Sequence, residues 1–242
     1  MILKTEAICI KNTRYGESSV ISKMFTTEHG LSSFIIQGIN RKTSNIRPSH
    51  IAPGNILELV VYQKPNSTIQ RVKELKVITP LLYIHTDMVK NSVLQFVLEI
   101  IAKTNEDDFK DPVVFNFLKE TIITLEGMKE NISIAPLTFL CHYLKFSGWF
   151  PNLEIWNSGN VFNLKEGRFG DKNLLNSLDE LNENQSLELH NILISVQNNL
   201  PINKITAIGK KDLFLALLRY YEIHILKGKK IKSPAILAEV LA

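Results

Sequence analysis

Residues 31–75 decide the fold of this chain: they read LSSFIIQG (31–38), INRKTSNIRPSHIAPG (39–54), NILELVVYQ (55–63) and, after a short turn, TIQRVKEL (68–75). The first, third and fourth segments are rich in β-branched and large apolar residues, which predicts strands. The second contains two prolines and a glycine, which exclude regular secondary structure, and it carries Arg41, Lys42 and Arg47. The pattern predicts a sheet that presents a basic, solvent-exposed loop.

Two more strands are predicted before this stretch. KTEAICIKN (4–12) and SSVISKMFTT (18–27) alternate apolar and polar residues, and the turn TRYGES separates them. Five short strands within residues 1–79, with turn residues between them, predict a small antiparallel barrel such as an OB-fold. An open sandwich is the main alternative.

After Pro80 the apolar period changes from two to about 3.6, which predicts helices. We expect an α+β multidomain fold, in which an OB-fold barrel at residues 1–79 is followed by a helical domain at residues 80–242. The helical domain is expected to contain a short β-hairpin insertion at about residues 149–172. Helices are predicted over residues 88–103, 112–126, 134–146, 174–181, 185–200, 211–226 and 234–241.

The composition is that of a globular protein, with 45% hydrophobic residues and no apolar run long enough to span a membrane. The N-terminus MILKTEAICIKN carries charges where a signal peptide has its apolar centre, so we expect a cytoplasmic protein with no membrane partner. Cys9 and Cys141 lie in separate apolar segments. They are expected to be buried thiols rather than a disulfide or metal ligands.

The net charge of +4 is unevenly distributed. Residues 1–79 contain 11 Lys and Arg against 5 Asp and Glu, a net charge of +6, whereas residues 80–242 contain 17 against 19, a net charge of −2. A second basic stretch, from Lys204 to Lys232, has eight bases against Asp212 and Glu222. Such clusters favour binding of a polyanion, although a solvated lysine-rich surface has the same pattern.

Patterns that indicate catalysis are absent from the sequence. There is no glycine-rich phosphate loop before a helix, no GxSxG motif and no pair of histidines at metal-ligand spacing. The adjacent acids Glu106, Asp107 and Asp108 follow a predicted helix and are more typical of solvated charge than of a nuclease site. We therefore expect a binding protein that is not an enzyme, with no cofactor, no metal and no small-molecule substrate.

Binding of nucleic acid requires cations that displace counterions from phosphates and, for single strands, exposed planar groups on which bases stack. The predicted barrel supplies both. Phe34 and Tyr62 are candidate rings, although Phe34 is more typical of a barrel core. The candidate cations are Arg14 in the first turn, Arg41, Lys42 and Arg47 in the long loop, and Lys64, Arg71 and Lys73 around the last hairpin.

Four segments carry a resemblance to a known family: TEAICIKNTRYGESSVI (5–21), MFTTEHGLSSFIIQGINRK (24–42), PGNILEL (53–59) and LRYYEIHILKGKKIKSP (218–234). In this order they resemble the RecO proteins of bacterial recombinational repair. The resemblance is specific in YGESS and in EHG followed by SFIIQGINRK. It covers nearly the whole chain and is diffuse in the helices.

The resemblance implies binding of single- and double-stranded DNA, strand annealing, and help in loading recombinase onto DNA coated by single-strand-binding protein. It implies RecR and the acidic, apolar C-terminal tail of single-strand-binding protein as partners, and a nucleoid-associated location. By position, Arg14, Arg41, Lys42 and Arg47 would contact phosphates. The C-terminal cations would either extend the DNA-binding surface or hold the acidic tail against an apolar groove. These cations are Lys210, Lys211, Arg219, Lys227, Lys229 and Lys230.

Many members of this family carry four zinc-binding cysteines after the central helix, but residues 149–172 contain no Cys or His. We therefore expect no zinc. Aromatic residues are expected to hold the hairpin instead: Trp149, Phe150, Trp156, Phe162 and Phe169.

Two other classes of function are compatible with the sequence. One is a non-catalytic interaction scaffold whose OB-fold binds a peptide, in which case the basic residues serve solubility. The other is a metal-dependent nuclease or other hydrolase built on acidic residues, which is disfavoured because the basic regions contain no paired carboxylates.

Overall fold

The structure is a computed structural model that describes residues 1–39, 45–64, 67–172, 179–202 and 207–240. The chain forms two compact units, one of Met1–Ile132 together with Ile231–Ala242, and one of Ser133–Lys230. The division into domains at residues 79 and 80 stays a prediction.

The first unit contains a closed barrel of five strands in the order β1-β2-β3-β5-β4, with β1 also paired to β4. All neighbouring pairs are antiparallel except β3 and β5, which run parallel. A five-stranded barrel of this order is an OB-fold, so the predicted barrel is confirmed and the open sandwich is excluded. The strands are β1 (Ile2–Tyr15), β2 (Ser19–Thr26), β3 (Gly30–Gln37), β4 (Ile56–Tyr62) and β5 (Ile69–Thr79).

Alternate residues of the strands point into the barrel and form its core. Phe34 is fully buried there, as its place in an apolar strand favours, and is therefore not a ring available to a ligand. Cys9 is also buried, and burial raises the pKa of its thiol to about 11. The buried core is formed by Ala7, Cys9, Met24, Phe34, Ile36, Ile39, Ile51, Leu57, Leu59, Val61 and Val72.

The described residues form six α-helices whose starts follow local sequence signals. The carboxylate of Asp87 accepts hydrogen bonds from the first turn of α1, and Asp111 does the same for α2, where Pro112 is the first helical residue. The helices are α1 (Met88–Thr104), α2 (Pro112–Gly127), α3 (Ala135–Ser147), α4 (Glu183–Gln197), α5 (Ala207–His224) and α6 (Ser233–Val240).

Helix α6 belongs to the first unit although it lies near the C-terminus. Its first turn is fixed by Glu99 of α1, whose carboxylate accepts hydrogen bonds from the backbone N–H groups of Lys232 and Ser233 and from the Ser233 hydroxyl. Burial alone would raise the pKa of Glu99, but these hydrogen bonds lower it. The sequence predicted the helix but not this contact, which joins residues more than 130 positions apart.

The helices of the first unit cover one part of the outer barrel wall. Ile8, Phe25 and Leu31 are cross-strand neighbours on the outward face, and all three are fully buried. The ring of Phe115 in α2 lies 6.0 Å from that of Phe25. This part of the wall is therefore a second hydrophobic layer and is closed to solvent.

The second unit contains α3, a two-stranded sheet, α4 and α5. Helix α3 ends at Gly148, whose positive φ of 75° gives the left-handed conformation that favours glycine. The hairpin strands are β6 (Asn160–Asn163) and β7 (Arg168–Asp171), which confirms the predicted hairpin insertion. Asn182 and Gln185 form a reciprocal capping box at the start of α4.

Two local predictions differ from the structure. The loop after β3 contains a 3-10 helix, Pro48–Ile51, where no regular structure was expected. The side-chain amide of Asn55 donates hydrogen bonds to the carbonyls of Ser49 and His50 in this helix. Residues 174–178 of the helix predicted over 174–181 lie outside the described residues. Residues 179–181 are not helical: Glu180 forms an isolated bridge with Asn163, and the N–H groups of Leu164 and Leu181 donate to the carbonyls of Asp179 and Phe162.

Candidate nucleic-acid interface

The rest of the outer barrel wall is open to solvent. On β1, β2, β3 and β5, the rows beyond Ile8 and Phe25 consist of exposed or half-buried residues. We call this surface the open face. Cross-strand register defines it as two rows, Lys11, Lys23, Ser33 and Ile69 in the first, and Thr13, Ile21, Ile35, Arg71, Tyr62 and Ile2 in the second.

The open face carries three cations and no carboxylate among its ten residues. Lys11 and Lys23 are cross-strand partners, and Arg71 lies in the neighbouring row. The sequence singled out Arg71 but missed the two lysines. The alternation of β2, in which Ser22 and Met24 point inward, places Lys23 outward and was a usable signal.

Lys11 points outward because of a β-bulge. The pairing of β1 with β2 shifts between Cys9 and Lys11, so the strict period of two is broken after the inward-facing Cys9. Without the bulge, Lys11 would share the inward face of Cys9. The bulge thus adds a positive charge to the open face.

Arg71 lies beside an exposed aromatic ring. Its guanidinium carbon is 5.9 Å from the ring centroid of Tyr62, the partner residue on β4, which is within the range of a cation–π contact. The two residues present a planar cation and a planar ring on the same surface.

The β1–β2 turn and the stem of the basic loop lie at one end of the open face. Arg14 and Tyr15 are exposed at the end of β1. The N–H of Ile39 donates to the carbonyl of Ser18, which fixes the start of the loop beside this turn. OB-folds bind oligonucleotides on this face, between the β1–β2 and β4–β5 turns.

The far end of the basic loop is fixed to β1. The Asn12 amide donates to the carbonyl of Ile51 at 2.6 Å, and Ile46 packs against the barrel core. Arg47 follows Ile46 and is exposed. Arg41 and Lys42, the other predicted loop contacts, lie outside the described residues.

An acidic segment borders the open face. Asp107 pairs with Leu31 at the edge of β3, and both of its carboxylate oxygens contact Lys23. The neighbouring Asp108 accepts a hydrogen bond from the Ser32 hydroxyl at 2.7 Å. Glu106, Asp107 and Asp108 are all exposed, which agrees with their interpretation as solvated charge, and Asp107 and Asp108 also hold the segment against the barrel.

The predicted C-terminal cations are not one cluster. Lys210 and Lys211 lie in the first turn of α5, whereas Lys227, Lys229 and Lys230 follow its C-terminus, about 20 Å further along the helix axis. Arg219 lies between them and forms ion pairs with Asp179 at 3.7 Å and Glu222 at 3.5 Å.

Edge-on and tilted aromatic contacts hold the hairpin of the second unit. Trp156 contacts Phe169, and Phe169 contacts Phe162. Trp149 and Phe150, also expected to hold the hairpin, lie just after α3, where Phe150 is half-buried. The sequence analysis missed the partners on the helices: His190 of α4 stacks on Trp156, His224 of α5 stacks on Trp149, and Tyr220 of α5 contacts Phe162.

A cavity of about 300 Å³ in the second unit is lined by residues of α4 and by Leu200, Pro201 and Ile202. The carboxylate of Glu188 lies in its wall, so the cavity is poorly suited to an acidic peptide. Within the described residues, no three His, Cys, Asp or Glu side chains are grouped so that they could hold a metal ion. None of the described helices is long and apolar enough to cross a lipid bilayer.

Comparison with known proteins agrees with the barrel and the helical part. Residues 1–81 match the family model for the N-terminal part of recombination protein O, and residues 85–233 match that for its C-terminal part. A DNA repair protein RecO from Flavobacterium psychrophilum is 30% identical over the full length of both chains. Those from Azobacteroides pseudotrichonymphae and Flavobacterium johnsoniae are 28% and 29% identical, covering 99% and 100% of both chains. The chain therefore belongs to the RecO family of DNA repair proteins.

Proposed function

We propose that this protein binds single- and double-stranded DNA on the open face and the adjoining basic loop, and that it acts as a recombination mediator without enzymatic activity. In this role it anneals complementary strands and helps to load recombinase onto DNA coated by single-strand-binding protein. The proposal places it in the cytoplasm, on the nucleoid.

One observation carries the proposal. The open face presents Lys11, Lys23 and Arg71 with no carboxylate among its ten residues. Asp107, at its border, pairs with Lys23. Lysine and arginine bind phosphates by displacing condensed counterions, so a surface of this kind binds a nucleic-acid backbone without requiring a particular sequence.

Salt-dependent binding tests the proposal. Fluorescence anisotropy with a labelled oligonucleotide, single-stranded or duplex, gives the affinity at several salt concentrations. In Lys11→Ala/Lys23→Ala the salt dependence should become shallower by about 0.7 per lost phosphate contact on single strands and about 0.9 on duplex. The loop variant Arg41→Ala/Lys42→Ala/Arg47→Ala should behave in the same way.

Lys129→Ala is the control, since Lys129 is exposed just beyond α2 and outside the open face. It should leave both affinity and salt dependence unchanged. If the double variant and the triple loop variant both bound DNA with wild-type affinity and salt dependence, the open face and the loop would take no part in DNA binding. If the wild-type chain bound neither single-stranded nor duplex DNA, this result would favour the interaction scaffold over a DNA-binding protein.

The protein partners proposed are RecR and the C-terminal tail of single-strand-binding protein. The tail of single-strand-binding protein is acidic, so its binding site would contain cations. The candidates are the cations at the two ends of α5. Replacing Lys210 and Lys211, or separately Lys227, Lys229 and Lys230, by Ala and measuring affinity for the tail peptide and for DNA would assign each group to one ligand. If neither variant lost affinity for the tail peptide or for DNA, both groups of lysines would be excluded as binding sites for these ligands.

The mediator activity is tested by annealing of complementary strands coated with the cognate single-strand-binding protein. The wild-type protein should accelerate duplex formation. An unchanged annealing rate in the presence of tight DNA binding would restrict the function to binding.

A further inference from the structure

The second row of the open face contains a strip of largely apolar residues that follows the curved barrel wall. Ile2, Tyr62, Arg71 and Ile35 are successive cross-strand neighbours on β1, β4, β5 and β3. Neighbouring strands are about 4.8 Å apart, so the four residues span about 14 Å of surface. Ile2 is 55% exposed and Tyr62 is 38% exposed, so the strip is open to solvent.

Tyr62 differs in its surroundings from the structural tyrosines of the chain. Tyr220 and Tyr221 are at most 1% exposed, and their hydroxyl groups donate to backbone carbonyls. Tyr62 instead places its ring at the surface, against the guanidinium of Arg71. An exposed ring of this kind contributes little to the barrel core.

The carboxylates of β4 and β5 are occupied by other cations. Glu58 pairs with Lys4 at 2.9 Å, and Glu74 pairs with Lys73 at 3.0 Å. These pairs leave the plane of Arg71 next to the ring of Tyr62 rather than next to an acid. A guanidinium plane and an aromatic ring are the two surfaces on which unpaired nucleobases stack.

We propose that Tyr62 and Arg71 form a base-stacking platform that gives the open face a preference for single-stranded over duplex DNA. The inference rests on the proposed function and deepens it. In a duplex the bases already stack on each other, so only an unpaired base can lie on the platform. The lysines of the open face hold the phosphates of either form.

The test compares three labelled DNAs at one salt concentration: a single strand, a duplex, and a single strand with abasic sites. Tyr62→Leu keeps an apolar side chain but removes the ring. It should weaken binding of the single strand about 5- to 100-fold, and leave binding of the duplex and the abasic strand unchanged. Arg71→Lys keeps the charge but removes the plane, and should weaken single-strand binding with little change in its salt dependence.

Two variants serve as controls. Tyr62→Phe keeps the ring and should retain single-strand affinity, while unchanged duplex binding by Tyr62→Leu shows that its loss on the single strand is not a folding defect. Tyr83→Leu removes another exposed ring of the first unit and should have no effect.

Wild-type affinity of Tyr62→Leu for the single strand would overturn the platform while leaving the proposed function intact. Equal losses on all three DNAs would also overturn it, because stacking cannot act on abasic sites. Absence of binding by the wild-type chain would instead overturn the proposed function, and the platform with it.

Discussion

The Nζ atom of Lys23 lies 2.7 and 2.9 Å from the two carboxylate oxygens of Asp107. Lys23 belongs to the open face, whereas Asp107 comes from the segment between α1 and α2, 84 residues further along the chain. Both side chains are partly exposed, so the pair contributes little to stability. Its main effect is to weaken Lys23 as a phosphate ligand, because the Asp107 carboxylate competes with a phosphate for the same ammonium group.

Asp107→Asn should therefore strengthen DNA binding. The expected gain is about two- to fivefold at low salt, since an exposed ion pair is worth about 0.5 to 1 kcal/mol. The salt dependence on single strands should steepen by up to about 0.7, because Lys23 can contact a phosphate without first leaving Asp107. Anisotropy titrations at several salt concentrations measure both quantities.

Glu28→Gln is the matched control for this prediction. It removes a carboxylate from another exposed ion pair of the first unit, that with Lys110, outside the open face. If the two variants changed DNA affinity equally, the effect would be one of net charge and not of Lys23.

Gly30 is predicted to be irreplaceable for docking the acidic segment. It has a φ of +59°, and a Cβ atom there would lie 1.9 Å from the carbonyl oxygen of Phe109. Gly16 has a similar φ of +68° but nothing within 4 Å of the added atom. Alanine substitutions at Gly16 and Gly30 therefore separate the cost of backbone strain, which both positions share, from the cost of the steric clash, which only Gly30 has.

Gly16→Ala should lower the free energy of unfolding by about 1 to 2 kcal/mol, the cost of a left-handed conformation for a residue with a Cβ. Gly30→Ala should cost at least about 2 kcal/mol more, because the segment must move and the hydrogen bond from Asp108 N–H to Leu31 is lost. Urea unfolding measures the two values, and hydrogen exchange at Asp108 reports the local change. Equal costs would show that the segment adapts to the methyl group.

Stability is predicted to fall as the pH drops below about 6.5, in part because of His190. This ring stacks on Trp156 with centroids 4.4 Å apart, and its Nε2 atom is buried without a hydrogen-bond partner among the described residues. Burial lowers the pKa of His190, as it lowers that of His85 in the first unit. The unfolded chain then binds the proton more readily than the folded chain, so protonation below the unfolded pKa favours unfolding.

His190→Gln should make this pH dependence shallower, leaving the part due to His85. The urea midpoint measured by tryptophan fluorescence at about pH 7.5 and about pH 5.5 gives the comparison, the lower value lying below the ordinary histidine pKa. An unchanged difference between the two midpoints in His190→Gln would assign the effect to other groups.

The sequence alone determined the elements and the class of fold, because these depend on local chemistry. Alternating apolar residues specified the strands, and the capping aspartates Asp87 and Asp111 specified where α1 and α2 begin. Residue order also identified the family, and the exposed positions of Arg14, Arg47 and Arg71 agree with the candidate cations. Their contacts with DNA stay predictions.

Tertiary structure alone decided which cations the open face carries and which of them meets Tyr62. Lys11 faces outward only because a bulge breaks the period of two, and Arg71 meets Tyr62 only through the register of β4 and β5. Asp107 reaches Lys23 only because its segment pairs with the free edge of β3. Bulges, register and long-range pairing depend on how the whole barrel closes, and composition and local periodicity carry no information about that closure.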